Sequence, residues 1–169
     1  MIETGIPGVA VVDLVPHVDE RGRFHELVRA SDYPEHFVQS NHSRSKAGVL
    51  RGLHFHRYQA DLWYVTGGKM QVALADLRDR QQRPAISTFV LDFEDPRTVY
   101  IPPGVAHGFL AITDVDLIYW VTREYDAKDE HGVRWDDPTL GVKWDTNDPI
   151  LSDRDRSNPE LRWDQVPSF

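Results

Sequence analysis

Three histidines and one aspartate in the middle of the chain have the types and spacing that chemistry needs: His54, His56, Asp61 and His107. His54 and His56 alternate, so on a β-strand they would share one face. Imidazole has a reference pKa of about 6.5, so it can take up a proton near neutral pH or bind a metal as a neutral ligand. Three histidines and a carboxylate suit iron, manganese, nickel or zinc. The residues therefore allow either proton transfer or metal-dependent chemistry.

Composition limits the class of protein that could position these residues. The 169 residues, 40% of them hydrophobic, predict a single domain spanning 1–169 with a sizeable core. A net charge of -8 and the lack of any Lys/Arg run argue against nucleic acid as a partner. Without cysteines there is no disulfide or thiol nucleophile. No apolar run reaches about 18 residues and no signal segment is evident, so we expect a cytoplasmic protein without membrane contact.

Short segments rich in Val, Ile and aromatic residues, separated by turns, dominate the chain and predict β-strands. The predicted strands are 9–15, 24–30, 61–66, 70–77, 86–92, 98–102, 108–113 and 115–125. This spacing is typical of an all-β sandwich or barrel, in which a ligand occupies the mouth or interior.

Turn residues and a change of composition complete the predicted architecture. Gly67 and Gly68 predict a tight hairpin, and the IPPG segment at 101–104 predicts a rigid turn. The segment 31–37 is interpreted as a short helical turn. After about residue 126 the chain is polar, which predicts a C-terminal tail wrapped on the barrel and not a second domain.

Several sequence blocks in a fixed order resemble the dTDP-4-dehydrorhamnose 3,5-epimerase family, a branch of the cupin superfamily that acts on nucleotide-linked 4-keto-6-deoxy sugars. The blocks are DERGRFHE at 19–26, QSNHSRSKAGVLRGLHFH at 39–56, DLR at 76–78, YIPPGVAHGF at 100–109, IYWVTREY at 118–125, WDDPTLGVKW at 135–144 and LSDRD at 151–155. The resemblance implies a cupin-type jelly-roll barrel, a homodimer, a dTDP-linked 4-keto sugar as substrate, and no metal or organic cofactor.

The resemblance also implies a role for individual residues. His54 corresponds to the catalytic base, Asp155 to the carboxylate that orients it, and Tyr119 to the acid. The implied substrate-binding residues are Arg21, Phe24, Glu26, Gln39, Asn41, Arg51 and His107, and we add His56 and Asp61 to this set.

The chemistry of a 4-keto sugar accounts for these residue types. The carbonyl acidifies the hydrogens at C3 and C5, and inversion requires that a proton leave one face and return to the other. A histidine held by a carboxylate can remove the proton, and a tyrosine, with a reference pKa near 10, can return one.

Two positions depart from the family pattern. The family usually has glutamine or another non-ligand residue where this chain has His56, and a lysine where it has Asp61, and the segment between His54 and Asp61 is about three residues shorter. That lysine is understood to stabilise negative charge on the C4 oxygen. At about 4 Å and an effective dielectric of about 20, such an attraction is worth roughly 4 kcal/mol. Protonated His56, protonated His107 or Arg51 could act as the donor instead.

Three hypotheses stay open at this stage. The first is epimerisation at C3, C5 or both, which the blocks around Tyr119 and Asp155 favour. The second is a metal-dependent cupin enzyme that uses His54, His56, Asp61 and His107 as ligands. The third is a sugar-nucleotide-binding homologue without catalytic activity.

Overall fold

The computed structural model describes residues 2–80 and 82–169, and in this part the chain is almost entirely β-structure. A 3-10 helix lies at Ala30–Asp32, and a single turn of α-helix, α1, lies at Asp153–Ser157. The strands are β1 (Ala10–Asp13), β2 (His17–Asp19), β3 (Gly22–Phe24), β4 (Gln39–Ser45), β5 (Leu50–Phe55), β6 (Asp61–Gly67), β7 (Lys69–Asp76), β8 (Ile86–Asp92), β9 (Arg97–Ile101), β10 (Val105–Ala111), β11 (Val115–Val121) and β12 (His131–Gly132).

Two five-stranded antiparallel sheets form the barrel. One has the order β1-β9-β6-β11-β4 and the other the order β12-β5-β10-β7-β8, while β2 and β3 form a separate hairpin. The connections cross between the sheets, so neighbours in a sheet are seldom neighbours in sequence. The all-β, cupin-type jelly-roll prediction is thereby confirmed. No helix in the described ranges is long and apolar enough to cross a membrane.

Along the inner face of the strands, an apolar end of the barrel is followed by a polar end. On β6, Trp63 and Val65 belong to the core between the sheets, whereas Asp61 faces a cavity. On β10, Phe109 belongs to the same core and His107 faces the same cavity. Alternate residues of a strand point to the same face, so the inner face of one strand supplies site residues at one end and core residues further along.

Gly52 is required where β5 and β10 approach each other most closely. A Cβ added to Gly52 would lie 2.6 Å from the Gly108 Cα, and its φ of +130° lies in a region that L-residues rarely adopt. The pairing of β5 with β10 is irregular between His107 and Phe109. The two glycines therefore allow the strands that carry His54 and His107 to pack backbone against backbone.

We expect Gly52→Ala to destabilise the protein by about 2 kcal/mol or more, because overpacking and an unfavourable φ act together. Urea unfolding followed by tryptophan fluorescence measures the change. Gly67→Ala is the matched control, since its Cβ would meet no atom closer than 3.5 Å. Equal stability of the two variants would contradict the proposed close approach.

Several predicted segments differ from the structure. The predicted strand at 24–30 is wrong beyond Phe24: Val28 packs with Tyr33 and Phe37 against the outer face of β6 instead of joining a sheet. The helical turn predicted at 31–37 is confined to the 3-10 helix Ala30–Asp32, and the predicted strand 115–125 ends at Val121. Strands β4 and β5 were not predicted.

The C-terminal tail wraps the barrel as predicted. Val133, Leu140 and Val142 cover the outer side chains Leu53 and Phe55 of β5. The tail also carries α1, which brings Asp155 next to β5.

Candidate active site

A cavity of about 680 Å³ opens at the polar end of the barrel, between the two sheets. This volume lies in the range of small-molecule sites. Its inner walls come from β4, β5, β6, β10 and β11, and include Gln39, Asn41, His54, Asp61, His107 and Tyr119. Its rim comes from the segments after β11 and from α1, and includes Arg123, Glu124, Tyr125, Glu130, Arg154 and Asp155.

His54 and Asp155 form a short hydrogen bond at one wall of the cavity. The His54 Nε2 lies 2.5 Å from Asp155 Oδ1, and Ser152 Oγ donates to Asp155 Oδ2 at 2.9 Å. Burial of Asp155 opposes its ionisation, but the bonds from His54 and Ser152 outweigh burial and lower its pKa below the usual value. The ionised carboxylate accepts the Nε2 proton, which leaves Nδ1 of His54 as the basic atom.

Ser152 explains why Asp155 is held so firmly. Ser152 is the N-cap of α1, and its Oγ accepts the backbone N–H of Asp155. The Asp155 carboxylate in turn accepts the Ser152 hydroxyl, so cap and carboxylate fix each other. Asp155 is 4% exposed.

Tyr119 lies on the opposite wall, on β11 of the other sheet. Its β-sheet partners are Asn41 on β4 and Trp63 on β6. Burial first, and then the carboxylates of Asp61 and Glu130, raise the pKa of the Tyr119 phenol above its ordinary value. The phenol therefore keeps its proton throughout the neutral range and can donate it.

His56, Asp61 and His107 form a second cluster in the same cavity. One potential ligand atom from each residue lies within 4.8 Å of the other two. Gln59 Nε2 and Trp63 Nε1 donate to the two carboxylate oxygens of Asp61. The ligand set predicted under the metal hypothesis also includes His54, but that residue is outside this cluster and bonds to Asp155.

Carboxylates outnumber cationic side chains around the cavity. The lining residues include six carboxylates and three guanidinium groups, and no lysine, among the residues described. Burial raises the pKa of Glu130, but the pairing with Arg154 outweighs burial and leaves that pKa below normal. Arg51 Nε donates to Ser45 Oγ on β4. Negative charge formed inside the cavity would therefore meet few free cations.

The structure brings together only part of the predicted substrate-binding set. Gln39, Asn41, Arg51, His56, Asp61 and His107 all line the cavity. Arg21, Phe24 and Glu26 do not line it. The Arg21 side chain is 85% exposed and bonds to Asp19, and Phe24 is 66% exposed. Glu26 pairs with Arg29.

Sequence reasoning missed several residues that support the site. Ser152 could have been found, since serine three residues before Asp155 is an N-cap signal. Gln59 and Trp63, which hold Asp61, lie two residues to either side of it. The pair of Glu130 and Arg154 joins distant segments, and no local pattern indicates it.

Comparisons with known proteins agree with this architecture. The model of the dTDP-4-dehydrorhamnose 3,5-epimerase family matches residues 3–162. The chain is 41% identical to the spore coat polysaccharide biosynthesis protein SpsL of Bacillus subtilis, over 83% of this chain and 97% of that protein. It is 37% identical to the dTDP-4-dehydrorhamnose 3,5-epimerase of Methanothermobacter thermautotrophicus, over 98% and 96% of the two chains.

A solved structure extends the comparison to three dimensions. The dTDP-6-deoxy-D-glucose-3,5-epimerase RmlC of Legionella pneumophila, in complex with dTDP-4-keto-L-rhamnose, aligns with a TM-score of 0.90 and 29% identity. The alignment covers 99% of this chain and 97% of that one. With a family match over most of its length and relatives above 30% identity, this chain belongs to the dTDP-4-dehydrorhamnose 3,5-epimerase family.

Proposed function

We propose that this protein is an isomerase that epimerises C3, C5 or both of a dTDP-4-keto-6-deoxyhexose. The observation that carries the proposal is the pairing of His54 with Asp155 on one wall of a cavity whose opposite wall holds Tyr119. A base and an acid on opposite sheets can act on opposite faces of a sugar ring bound between them.

The proposed reaction uses His54 on one wall of the cavity and Tyr119 on the other. Nδ1 of His54 takes the hydrogen from the carbon next to the carbonyl, and the C–H electron pair forms the C=C bond of an enolate. The ionised Asp155 stabilises the imidazolium that results, as a carboxylate bound to the other ring nitrogen does in general base catalysis. The Tyr119 hydroxyl then donates its proton to the same carbon from the opposite face, and the carbonyl forms again with the configuration inverted.

The shape and polarity of the cavity support a nucleotide-sugar substrate. Gln39 and Asn41 offer amide groups along β4, and Arg51, which bonds to Ser45 at the end of that strand, offers a guanidinium in the same cavity. Amides can bind sugar hydroxyls, and a guanidinium suits a diphosphate. The cavity volume of about 680 Å³ accommodates a sugar and its linked phosphates.

Solvent deuterium exchange tests the proposal directly. Incubation of the protein with dTDP-4-keto-6-deoxyglucose in deuterated water should replace hydrogen by deuterium at C3, C5 or both, as followed by proton NMR. Label at both positions at comparable rates would establish double epimerisation, and label at one would establish a single inversion. Absence of exchange at both positions under saturating substrate would contradict the proposal.

We also propose a homodimer in which the β2–β3 hairpin contributes to the cavity of a second copy. Arg21, Phe24 and Glu26, which the family resemblance assigns to substrate binding, lie outside their own cavity. Val15, Val18 and Phe24 are exposed hydrophobic residues in or beside this hairpin. Exposed apolar groups next to charged ones are typical of a surface that another chain covers.

Complementation between two inactive variants tests the shared site. We expect His54→Asn and the double variant Arg21→Ala/Phe24→Ala each to be nearly inactive. Refolded together, they should recover about a quarter of the wild-type activity, because half of the dimers then carry one intact site. Light scattering should report twice the mass of the chain. A dimer that recovers no activity would contradict the contribution of the hairpin to the second cavity. A monomer would contradict both the homodimer and that contribution.

A further inference from the structure

We propose that His56, Asp61 and His107 bind a divalent metal ion, of the class of Zn²⁺ or Co²⁺, beside the His54 base. The location of the ion rests on the three side chains alone. Its role, which is to stabilise charge on the carbonyl oxygen of the substrate, rests on the proposed function.

The hydrogen bonds of the two histidines determine which ring nitrogens face each other. Nδ1 of His56 lies 2.9 Å from the backbone carbonyl oxygen of Asp129, and Nδ1 of His107 lies 3.0 Å from that of Val105. A carbonyl oxygen can only accept, so both Nδ1 atoms carry the proton. Each Nε2 then has a free lone pair, and this is also the arrangement that backbone carbonyls impose on histidines that bind metals.

Protons do not account for the convergence of these groups. The distance of 3.8 Å between His107 Nε2 and Asp61 Oδ2 is too long for a hydrogen bond. Two ring nitrogens and a carboxylate therefore converge without a hydrogen bond between His107 and Asp61, which is an arrangement that a cation can occupy.

The geometry suits a metal with three protein ligands and open positions. Ligand atoms within 4.8 Å of one another can close on an ion about 2.1 Å from each with movements on the order of 1 Å. Asp61 is 4% exposed and is fixed by Gln59 and Trp63, and the ring of Trp63 packs edge-on against His107. Two histidines and one carboxylate are a set used by catalytic zinc and by other first-row metals.

The charge of such a site is what the proposed reaction lacks. Burial raises the pKa of the Tyr119 phenol most, and the carboxylates of Asp61 and Glu130 raise it further against the opposing charge of Arg51, so the negative charge of Asp61 acts on the space where an enolate would form. The cavity residues described include no lysine that could oppose it. A divalent ion with one carboxylate and two neutral imidazoles carries a net charge of +1. The metal thus converts a repulsive position into one that attracts the enolate oxygen.

The separation of His54 from the cluster lets both groups act in one reaction. His54 is bound by Asp155 and keeps Nδ1 free for the proton, while the other three residues hold the ion. The C–H electron pair moves into the C=C bond, the carbonyl electron pair moves to the oxygen, and the ion neutralises the charge there. No electron is gained or lost by the metal.

Metal binding can be measured without any substrate. The protein, made without a histidine tag, is stripped with chelator and titrated with Zn²⁺ by calorimetry, and with Co²⁺ by visible absorption. We expect one equivalent of each to bind. Asp61→Asn and His56→Gln should each weaken binding by at least about 100-fold. His42→Ala is the matched control, because His42 is exposed and bonds to Asp116 outside the cavity.

The outcomes separate the metal site from the proposed function. Lack of Zn²⁺ binding by the wild type, or equal binding by both cluster variants with circular dichroism confirming their fold, would overturn the site. Deuterium exchange should be about a hundredfold slower in the stripped protein and return with Zn²⁺; equal exchange in both forms would overturn the role of the ion. Binding of Zn²⁺ at the cluster without exchange in any form would instead contradict the proposed function and leave the site intact.

Discussion

Replacement of His54 by asparagine should slow deuterium exchange into the 4-keto sugar by about a thousandfold, because the protein then lacks its general base. The asparagine amide can still bond to Asp155 but has no basic atom to present to the substrate. The rate is measured by proton NMR in deuterated water at saturating substrate. KM should change little, since His54 contributes to proton transfer more than to binding.

A graded series distinguishes loss of the base from general damage to the site. Asp155→Asn keeps the imidazole but removes the negative charge of the carboxylate that bonds to Nε2, so exchange should fall by about a hundredfold. His42→Ala, outside the cavity, should exchange like the wild type. If His54→Asn kept more than about a tenth of the wild-type rate, another residue would have to be the base.

The fold was predictable from the sequence for several strands with a buried face, although β5, in which Leu50, Leu53 and Phe55 are buried, was missed. β6, β7 and β8 were predicted within one or two residues because their apolar residues are bounded by turns. β4 was missed for the opposite reason: its sequence, QSNHSRS, has polar residues facing the cavity on one side and solvent on the other. A strand that lines a polar site therefore lacks the periodicity that indicates a strand.

The family resemblance pointed to His54, Tyr119 and Asp155, which line one cavity, but it did not predict how the polar residues there are grouped. His54 and Asp155 are separated by 101 positions, and only the tail wrapped over β5 brings them together. The spacing of His54 and His56 suggested one four-residue metal set. His54 instead bonds to Asp155, and the remaining three residues stay together. The orientation of an imidazole depends on the partner of its second nitrogen, and here those partners come from distant segments.

Proton removal and proton return are assigned to different residues, and this determines what can be expected of a Tyr119 variant. Because His54 removes the proton and Tyr119 returns one, proton removal does not depend on the Tyr119 hydroxyl. Tyr119 lies on the sheet opposite His54, and its hydroxyl is needed only in the second half of the reaction. Loss of that hydroxyl should therefore separate exchange from inversion.

Tyr119→Phe should keep deuterium exchange within about tenfold of the wild type while inversion slows by a hundredfold or more. His54 still removes the proton. Without an acid on the other face, His54 returns a deuteron from solvent to the face from which the proton left. NMR coupling constants of the labelled sugar report the configuration, and the intensity of its proton signals reports exchange. Tyr64→Phe is the control, because the Tyr64 hydroxyl bonds to His25 on the outer side of β6. Inversion by Tyr119→Phe at the wild-type rate would show that the proton comes from elsewhere, whereas parallel loss of exchange and inversion would mean that the phenol also positions the sugar for His54.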